Sequence, residues 1–397
     1  MKILQRHDFL DKLIRTIKTP DIKVLTGIRR CGKSKLLELF IDYIKQNLPD
    51  ANIIHINYNL FQFSTLKNAP ALNEYVENLY SPKKENFLLI DEVQLCKDFE
   101  LAVNSFHASE KYHIYLTGSN AFLLSNDLAT LFTGRTFSVE IFPFSFKEFV
   151  SYFEHTDIQK AFDEYSMQGG MAGSYLYDTT EEKYNYIKEV FETLIIRDIQ
   201  QKYKIKNSPL LDTLNDFLLD NISSEVSARS IANTLNSKGI KTDDKTVSSY
   251  IKYLCASYAF YKVRRYDIKG KKYLASQDKY YLADHSFKYA KLGTKNMDYG
   301  RLYENIVCIE LLRRGYEVYT GVLYKREIDF VAIKRDEKIY IQISDDISNP
   351  ETLKRETSPL LSIKDAYPKM LIARTKHPKY QYEGIAVCDL AQWLLEK

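Results

Sequence analysis

The sequence predicts an α/β protein: a parallel-sheet core, a helical stretch, a winged helix and a second, smaller α/β unit. Three observations carry this. Short apolar runs alternate with helical patterns between 23 and 141, the mark of a parallel sheet with crossover helices. A glycine-bounded loop ending in Lys-Ser joins the first run to the first long helix. After Pro143 the strand pattern stops, and it resumes only near 260. The length of 397 residues corresponds to two or three domains at about 150 residues each.

In chain order, a short amphipathic helix is expected over 8–18, then a strand over 23–26 and an apolar-periodic helix over 35–44. Further strands are expected at 52–57, 87–90, 114–117 and 137–141, with helices around 71–80, 98–108 and 121–130. Residues 145–205 read as mainly helical, broken at Gly169-Gly170. Three short helical patterns over 209–255 precede β-like stretches at 260–266 and 272–283. Three helices and a hairpin make a winged helix. The last unit has a helix over 303–313, stopped by Gly315, then strands at 316–320, 327–333 and 338–344. A helix near 350–356, strands at 370–374 and 385–387, and a terminal helix at 389–396 complete it.

Composition excludes several classes. A hydrophobic fraction of 45% and a charged fraction of 27% fit a folded soluble protein rather than a disordered or coiled-coil chain. The cysteines at 31, 96, 255, 308 and 388 are dispersed and odd in number, so they read as free thiols in a reducing, cytoplasmic compartment. The seven histidines show no metal-ligand spacing. No apolar run approaches about 18 residues, so membrane insertion is not expected. Lys plus Arg number 56 against 52 Asp plus Glu, a formal charge of +4. That near-balance does not demand nucleic acid as a partner, but it can hide a local basic patch.

The chemistry concentrates first at Gly27-Ile28-Arg29-Arg30-Cys31-Gly32-Lys33-Ser34, a full GxxxxGK[ST] match between a strand and a helix. Gly27 and Gly32 let the backbone curl so that its N–H groups point at phosphate, and the helix N-terminus adds a favourable dipole. Lys33 reaches the β- and γ-phosphates, and Ser34 ligates Mg²⁺. Arg29 and Arg30 add charge near phosphate or contact another domain. The apolar strand ending at Asp91-Glu92 supplies a second Mg²⁺ group, Asp91, and a carboxylate, Glu92, to polarise the attacking water. Asn120 or Ser119, closing the next strand, is placed to touch the γ-phosphate or that water. Arg135, in Thr133-Gly134-Arg135, is a candidate to neutralise charge on the γ-phosphate, either in cis or from a neighbouring subunit. The ligands implied are ATP and Mg²⁺.

These pieces carry a resemblance. GIRRCGKS, LLIDEVQ, LTGSNA and LFTGRTFSVEIFPFSFKEF, with Gly169-Gly170 behind them, resemble bacterial and archaeal AAA-family ATPases, relatives of the archaeal-type STAND and AAA+ proteins. These pair an AAA module with a C-terminal DUF4143-like domain. The likeness spans roughly 20–175, and the downstream layout continues to 340. It implies an AAA+-like P-loop NTPase core at 1–145, a helical lid at 146–205, a winged-helix domain at 206–290 and a restriction-endonuclease-like domain at 291–397. It also implies ATP hydrolysis driving a conformational switch.

Between 241 and 275 nine basic residues face three acids, a local excess of six that exceeds the whole chain's +4. Lys245 and Lys252 on the expected recognition helix, and Lys269, Lys271 and Lys272 at the wing tip, are candidate contacts to double-stranded DNA. No arginine or glutamine is well placed there for base reading, so contact is backbone-driven and salt-sensitive. The alternative is a protein-interaction module that meets another copy or another protein.

Residues 301–344 resemble the restriction-endonuclease-like (PD-(D/E)xK-like) fold, in which a helix Glu, a strand Asp and a Glu-x-Lys build a metal site. Glu304 and Asp329 stand at the first two positions. At the third, Gln342-Ile343-Ser344 departs: Gln342 brings no charge to a metal, and Ser344 brings no ammonium. Two of the four charged groups remain, and a lysine supplied from elsewhere stays open as the missing ammonium, with Lys325 and Lys338 nearby in sequence. The expectation is a degenerate fold without nuclease activity. Two alternatives to the ATPase switch stay open: a DNA-binding effector with residual metal-dependent nuclease activity, and an ATP-binding regulatory protein with very slow turnover.

Overall fold

The computed structural model describes residues 3–118, 132, 134–294, 297–324 and 326–396, leaving aside the side chains of 196–198 and 272–276. The chain forms two compact units. One is Met1–Pro143 with Leu194–Tyr203 and Ala256–Tyr258; the other is Phe144–Thr193, Lys204–Cys255 and Ala259–Lys397.

The first unit opens with α1 (His7–Arg15), then β1 (Ile22–Thr26), α2 (Lys33–Asn47), β2 (Asn52–Asn57), α3 (Ala69–Asn78), β3 (Asn86–Asp91), α4 (Phe99–Ala108), β4 (Tyr112–Thr117) and β5 (Thr136–Glu140). The strands form one sheet in the order β2-β3-β4-β1-β5, every pair parallel. Such a sheet is covered on both faces, so its strands read as continuous apolar runs. β1 and β3 are buried throughout. Ile54, Ile56, Leu88, Ile90, Ile114 and Leu116 form a core with Leu72 and Val76 of α3 and Val103 and Phe106 of α4. The helix expected near 121–130 lies outside the described residues.

The second unit holds α5 (Phe146–Phe153), α6 (Ile158–Gln168), α7 (Thr180–Thr193), α8 (Ser208–Asp220), α9 (Ala228–Ser237) and α10 (Asp244–Ala256). A π-helical segment, Leu194–Gln201, follows α7. Next come β6 (Phe260–Asp267), β7 (Lys272–Leu282), α11 (Ser286–Leu292), α12 (Tyr299–Arg313), β8 (Glu317–Leu323), β9 (Arg326–Lys334) and β10 (Glu337–Ser344). The chain ends with α13 (Pro350–Leu361), β11 (Lys369–Ala373), β12 (Tyr380–Tyr382), β13 (Ile385–Asp389) and α14 (Leu390–Leu395).

These strands form a single mixed sheet in the order β12-β13-β11-β10-β9-β8-β6-β7. The hairpin β6-β7 joins it through parallel pairing of β6 with β8, Arg264 opposite Tyr319 to Asp267 opposite Val322. The sheet therefore runs across the expected 290/291 boundary. The helices expected as a lid share its core: Phe146, Phe149, Phe162 and Tyr165 pack with Leu302, Val307, Trp393 and Leu394. Their local signals are strong. Ser145 caps α5 in a reciprocal box with Glu148, and Asp157 caps α6.

Gly169-Gly170 ends α6 for a steric reason. Gly169 has φ 69°, and a Cβ there would lie 2.2 Å from Asp284 Oδ1. The Gly170 amide donates to Asp284 Oδ2 at 2.6 Å.

Candidate functional site

In a parallel sheet, ligands bind beyond the carboxyl ends of the strands, where the order reverses. Here β1, β3 and β4 deliver residues 27–34, Asp91-Glu92 and Thr117 to one end. Register sets their neighbourhood: Leu25 lies opposite Thr117, and Ile90 opposite Leu116.

The loop after β1 is tightly built. Gly27 has φ 128°, and a Cβ there would meet Ile141 O at 2.0 Å, so only glycine fits. Ile28 and Cys31 are buried; Arg29 is half-buried and Arg30 is exposed. Gly32 precedes α2, Lys33 is its first residue, and Ser34 is half-buried behind it. Lys33 is 6% exposed. Its Nζ donates to Gly27 O at 2.9 Å and Ile28 O at 3.0 Å. The loop thus holds one cation at its centre, ringed by backbone.

Arg6, which sequence reasoning missed, fastens this loop from outside. Its Nη1 donates to Cys31 O at 2.8 Å and its Nη2 to Phe142 O at 2.9 Å. It is 6% exposed, with its guanidinium over the Phe9 ring. No motif announces it, because its position comes from α1 packing beside α2. Tyr258 is a second residue without a sequence signal; its buried hydroxyl hydrogen-bonds the Thr26 side chain.

Asp91 is 1% exposed, and Thr117 Oγ1 donates to its Oδ1. The Glu92 amide donates to the same Thr117 oxygen at 3.2 Å. Glu92 sits at φ 57°, a left-handed conformation that turns its side chain off the strand line. Its Oε2 accepts from Gln94 Nε2. Thr117 thereby sets the positions of both carboxylate residues. Sequence reasoning had noted the Thr117 segment for Ser119 or Asn120, and both of those lie outside the described residues.

Arg135 is exposed, and its carbonyl accepts from the Ile22 amide at 2.8 Å. Thr136 pairs with Ile22, so Arg135 stands at the start of β1 while the phosphate loop leaves its end. A five-residue strand at about 3.3 Å per residue separates the two by roughly 13 Å.

These residues fit ATP with Mg²⁺. A glycine cradle, a central ammonium, a hydroxyl at Ser34 and a buried carboxylate at Asp91 are the donor set that a phosphate–Mg²⁺ group requires.

In the second unit, Glu304 and Asp329 do come together. The cation beside them is Lys279 of β7, which sequence reasoning missed. Lys279 Nζ lies 2.9 Å from Glu304 Oε1 and 2.6 Å from Glu327 Oε1. Tyr281 donates to Glu304 Oε1 at 2.6 Å, and the Ile343 amide donates to Asp329 Oδ2 at 2.7 Å. Gln342 turns to Glu356 at 3.3 Å, and Ser344 donates to Asp346 O. Lys338 faces the Tyr266, Tyr340 and Tyr367 rings and Asp365, so it is not the missing lysine. Lys325 lies outside the described residues. Burial drives the Asp329 carboxyl well above its ordinary range, with the Glu304 charge adding to the effect. Among the described residues no group of three or more His, Cys, Asp and Glu is placed to hold a metal ion.

Lys245 and Lys252 lie exposed along α10, opposite its buried Val247, Ile251 and Leu254. Lys269 and Lys271 are exposed at the β6-β7 turn. The Lys272 side chain lies outside the described set. Lys262 and Arg265 are paired, with Asp278 at 2.6 Å and Glu225 at 3.1 Å.

A family model described as an AAA domain matches residues 19–150. Another, a domain of unknown function (DUF8612), matches 159–298, a different domain from the C-terminal DUF4143-like one that the resemblance implies. An uncharacterized protein of Haemophilus influenzae is 37% identical over 99% of both chains. This chain belongs to the family of that protein. The uncharacterized protein MJ1544 of Methanocaldococcus jannaschii is a more distant relative, 27% identical over 80% of this chain and 73% of its own. Among solved structures, AMPPCP-bound DnaA from Aquifex aeolicus aligns at a TM-score of 0.33 and 17% identity, over 64% of this chain and 89% of that one. A likeness at that score carries no argument about ligands or partners. The N-terminal unit of this family member is an AAA-type P-loop NTPase domain, on the matched family model. No described helix is long and apolar enough to cross a membrane.

Proposed function

We propose that this chain is a Mg²⁺-dependent ATPase whose turnover switches the conformation of its C-terminal half. The observation that carries the reading is Thr117, bonded to Asp91 and to the Glu92 amide beside the phosphate loop. Gly27 to Ser34 cradle the triphosphate, with Lys33 exchanging its two loop carbonyls for phosphate oxygens. Ser34 and Asp91 hold Mg²⁺, which supplies charge neutralisation between the phosphates. Glu92 orients and polarises the attacking water, with Asn120 assigned to the same water or the γ-phosphate. Arg135 acts on a neighbouring copy's site. Coupling is supported by Leu194–Tyr203 and Ala256–Tyr258, two segments from later in the chain that belong to the N-terminal unit. The cytoplasm suits the five free cysteines.

We read the segments core at 1–145, lid at 146–205, winged helix at 206–290 and nuclease-like end at 291–397 as functional divisions rather than separate folding units, since the last three share one sheet and core. The winged-helix reading rests on α8, α9 and α10 followed by the β6-β7 hairpin, with Val226 bridged to Asp278. Its exposed lysines favour double-stranded DNA as a partner through the phosphate backbone. The nuclease-like reading rests on α12, β9 and β10 carrying Glu304, Asp329 and Gln342. Residual nuclease activity is disfavoured by the lysine set among the carboxylates.

ATP hydrolysis measured against protein concentration, with and without duplex DNA, tests the proposal. Lys33→Ala and Glu92→Gln abolish turnover, and the specific rate rises with concentration in an Arg135-dependent manner. A well-folded wild type that hydrolyses no ATP in either condition leaves the slow regulatory binder as the reading. Metal-dependent DNA cleavage lost in Asp329→Ala reinstates the nuclease.

A further inference from the structure

The C-terminal sheet has parallel strands of its own. β10, β11 and β13 pair in parallel and end level, with Ser344 opposite Ala373 and Ala373 opposite Asp389. Beyond that carboxyl end, where α/β sheets take ligands, lies a cleft of about 410 Å³. Small-molecule sites run from roughly 300 to 1,000 Å³. Asp345 and Arg374, which directly follow β10 and β11, line it with Lys376. α12 adds Tyr299 and Tyr303, whose ring centroids are 5.8 Å apart. None of Lys279, Glu304 and Asp329 lines it. Tyr303 is 7% exposed, yet its hydroxyl makes no hydrogen bond to another described residue. Burial pushes that hydroxyl up to about 12, so it is a donor at neutral pH. The charges acting on it are those of Arg374, Asp163 and Asp345, all in the cleft wall, so the hydroxyl faces the cleft. The Arg374 side chain is 8% exposed and lies 4.9 Å over the Phe162 ring. Its Nη2 donates to Asp163 at 2.6 Å and to Gln159 O at 3.0 Å, while Nη1 makes no hydrogen bond and stands 4.0 Å from Asp389. A buried polar group without a partner is a cost that a bound ligand recovers.

We propose that this cleft is a second nucleotide site, for a nucleoside monophosphate, separate from the phosphate loop and independent of hydrolysis there. The charges of Arg374 and Lys376 cancel those of Asp163 and Asp345, which suits a neutral planar base with mixed donors and acceptors better than a bare anion. Tyr299, 42% exposed, offers its ring for stacking. The Tyr303 hydroxyl donates to the base edge, and the Asp345 carboxylate accepts from it. Lys376 is exposed and has no ion pair among the described residues, so its ammonium is available to a phosphate. One ammonium without a glycine cradle matches one phosphate rather than three.

Isothermal titration of the full chain with AMP, GMP, CMP and UMP tests the assignment. At least one of them binds with a dissociation constant below about 1 mM, and that binding survives Lys33→Ala. Tyr299→Ala and Tyr303→Phe each weaken it by at least about fivefold. Tyr303→Phe keeps the buried ring and deletes a hydroxyl with no protein partner, so the fold stands. The matching nucleoside binds about tenfold more weakly than the nucleotide, and Lys376→Ala removes that difference. Four results overturn the proposal: no monophosphate binds the folded chain below about 1 mM, binding is lost in folded Lys33→Ala, neither tyrosine variant weakens it, or inorganic phosphate or glucose binds as tightly as the nucleotide. The second of these assigns the monophosphate to the phosphate loop and leaves the ATPase reading untouched.

Discussion

Arg6 Nη1 donates to Cys31 O at 2.8 Å, tying the residue before α1 to the middle of the phosphate loop. The same guanidinium reaches Phe142 O. Arg6→Ala leaves both carbonyls without that donor. It costs about 2 kcal/mol of stability, read by chemical denaturation. ATP affinity falls by about tenfold, read by titration, because the loop loses an anchor while Lys33 stays in place.

On the proposed function, Thr117 acts on the hydrolytic groups rather than on binding. Thr117→Val keeps the shape and removes the hydroxyl that serves Asp91 and the Glu92 amide. Turnover falls by about 10–100-fold, while nucleotide affinity changes by less than about threefold. Single-turnover rates beside equilibrium binding separate the two effects.

Lys23, the second residue of β1, is wholly buried, and its Nζ donates to Thr19 O at 2.5 Å. Burial lowers its pKa to about 8, against a smaller opposing pull from Asp21. A lysine with a depressed folded pKa penalises the native state below that value. The penalty fades as pH rises from about 8 to the ordinary 10.5. Lys23→Met therefore raises the unfolding free energy by about 2 kcal/mol at pH 7. The gain shrinks between pH 8 and 10.5, as urea denaturation across that range reports.

Gly170 has no room for a side chain: a Cβ would lie 2.2 Å from Phe144 O. Gly170→Ala forces backbone apart, disturbs the bond to Asp284 and costs at least about 3 kcal/mol. The thermal midpoint falls accordingly, whereas Gly239→Ala, with φ 83° but open space at its Cβ position, meets only the backbone strain of a left-handed residue and does less.

Lys245 and Lys252 share the exposed face of α10. If that face meets DNA phosphates, each change to alanine weakens duplex binding and lowers the salt dependence by about one counterion. Fluorescence anisotropy over a salt series measures both, and sequence preference stays unchanged.

The N-terminal architecture was legible because its signals are local. Asn52–Asn57 falls where the apolar run predicts, and β1, β3 and β4 extend their predicted runs by one or two residues. The phosphate loop was legible because glycine spacing and Lys33-Ser34 are a backbone requirement written in sequence. The helix Ser286–Leu292 and the strand Tyr380–Tyr382 were not, since each is too short for a period to register.

By itself, then, the sequence determined the parallel core, the loop that receives phosphate and the two carboxylates at the end of β3. These depend on residues close together in the chain. Tertiary structure alone decided that Arg6 clamps Cys31, that Thr117 joins Asp91 to Glu92, and that Arg135 lies beside the start of β1, whose far end carries the loop. It also decided that the 260–282 hairpin completes the C-terminal sheet and brings Lys279 among Glu304, Glu327 and Asp329. The reason is physical: strand order and register, which no local pattern encodes, set which distant charges meet.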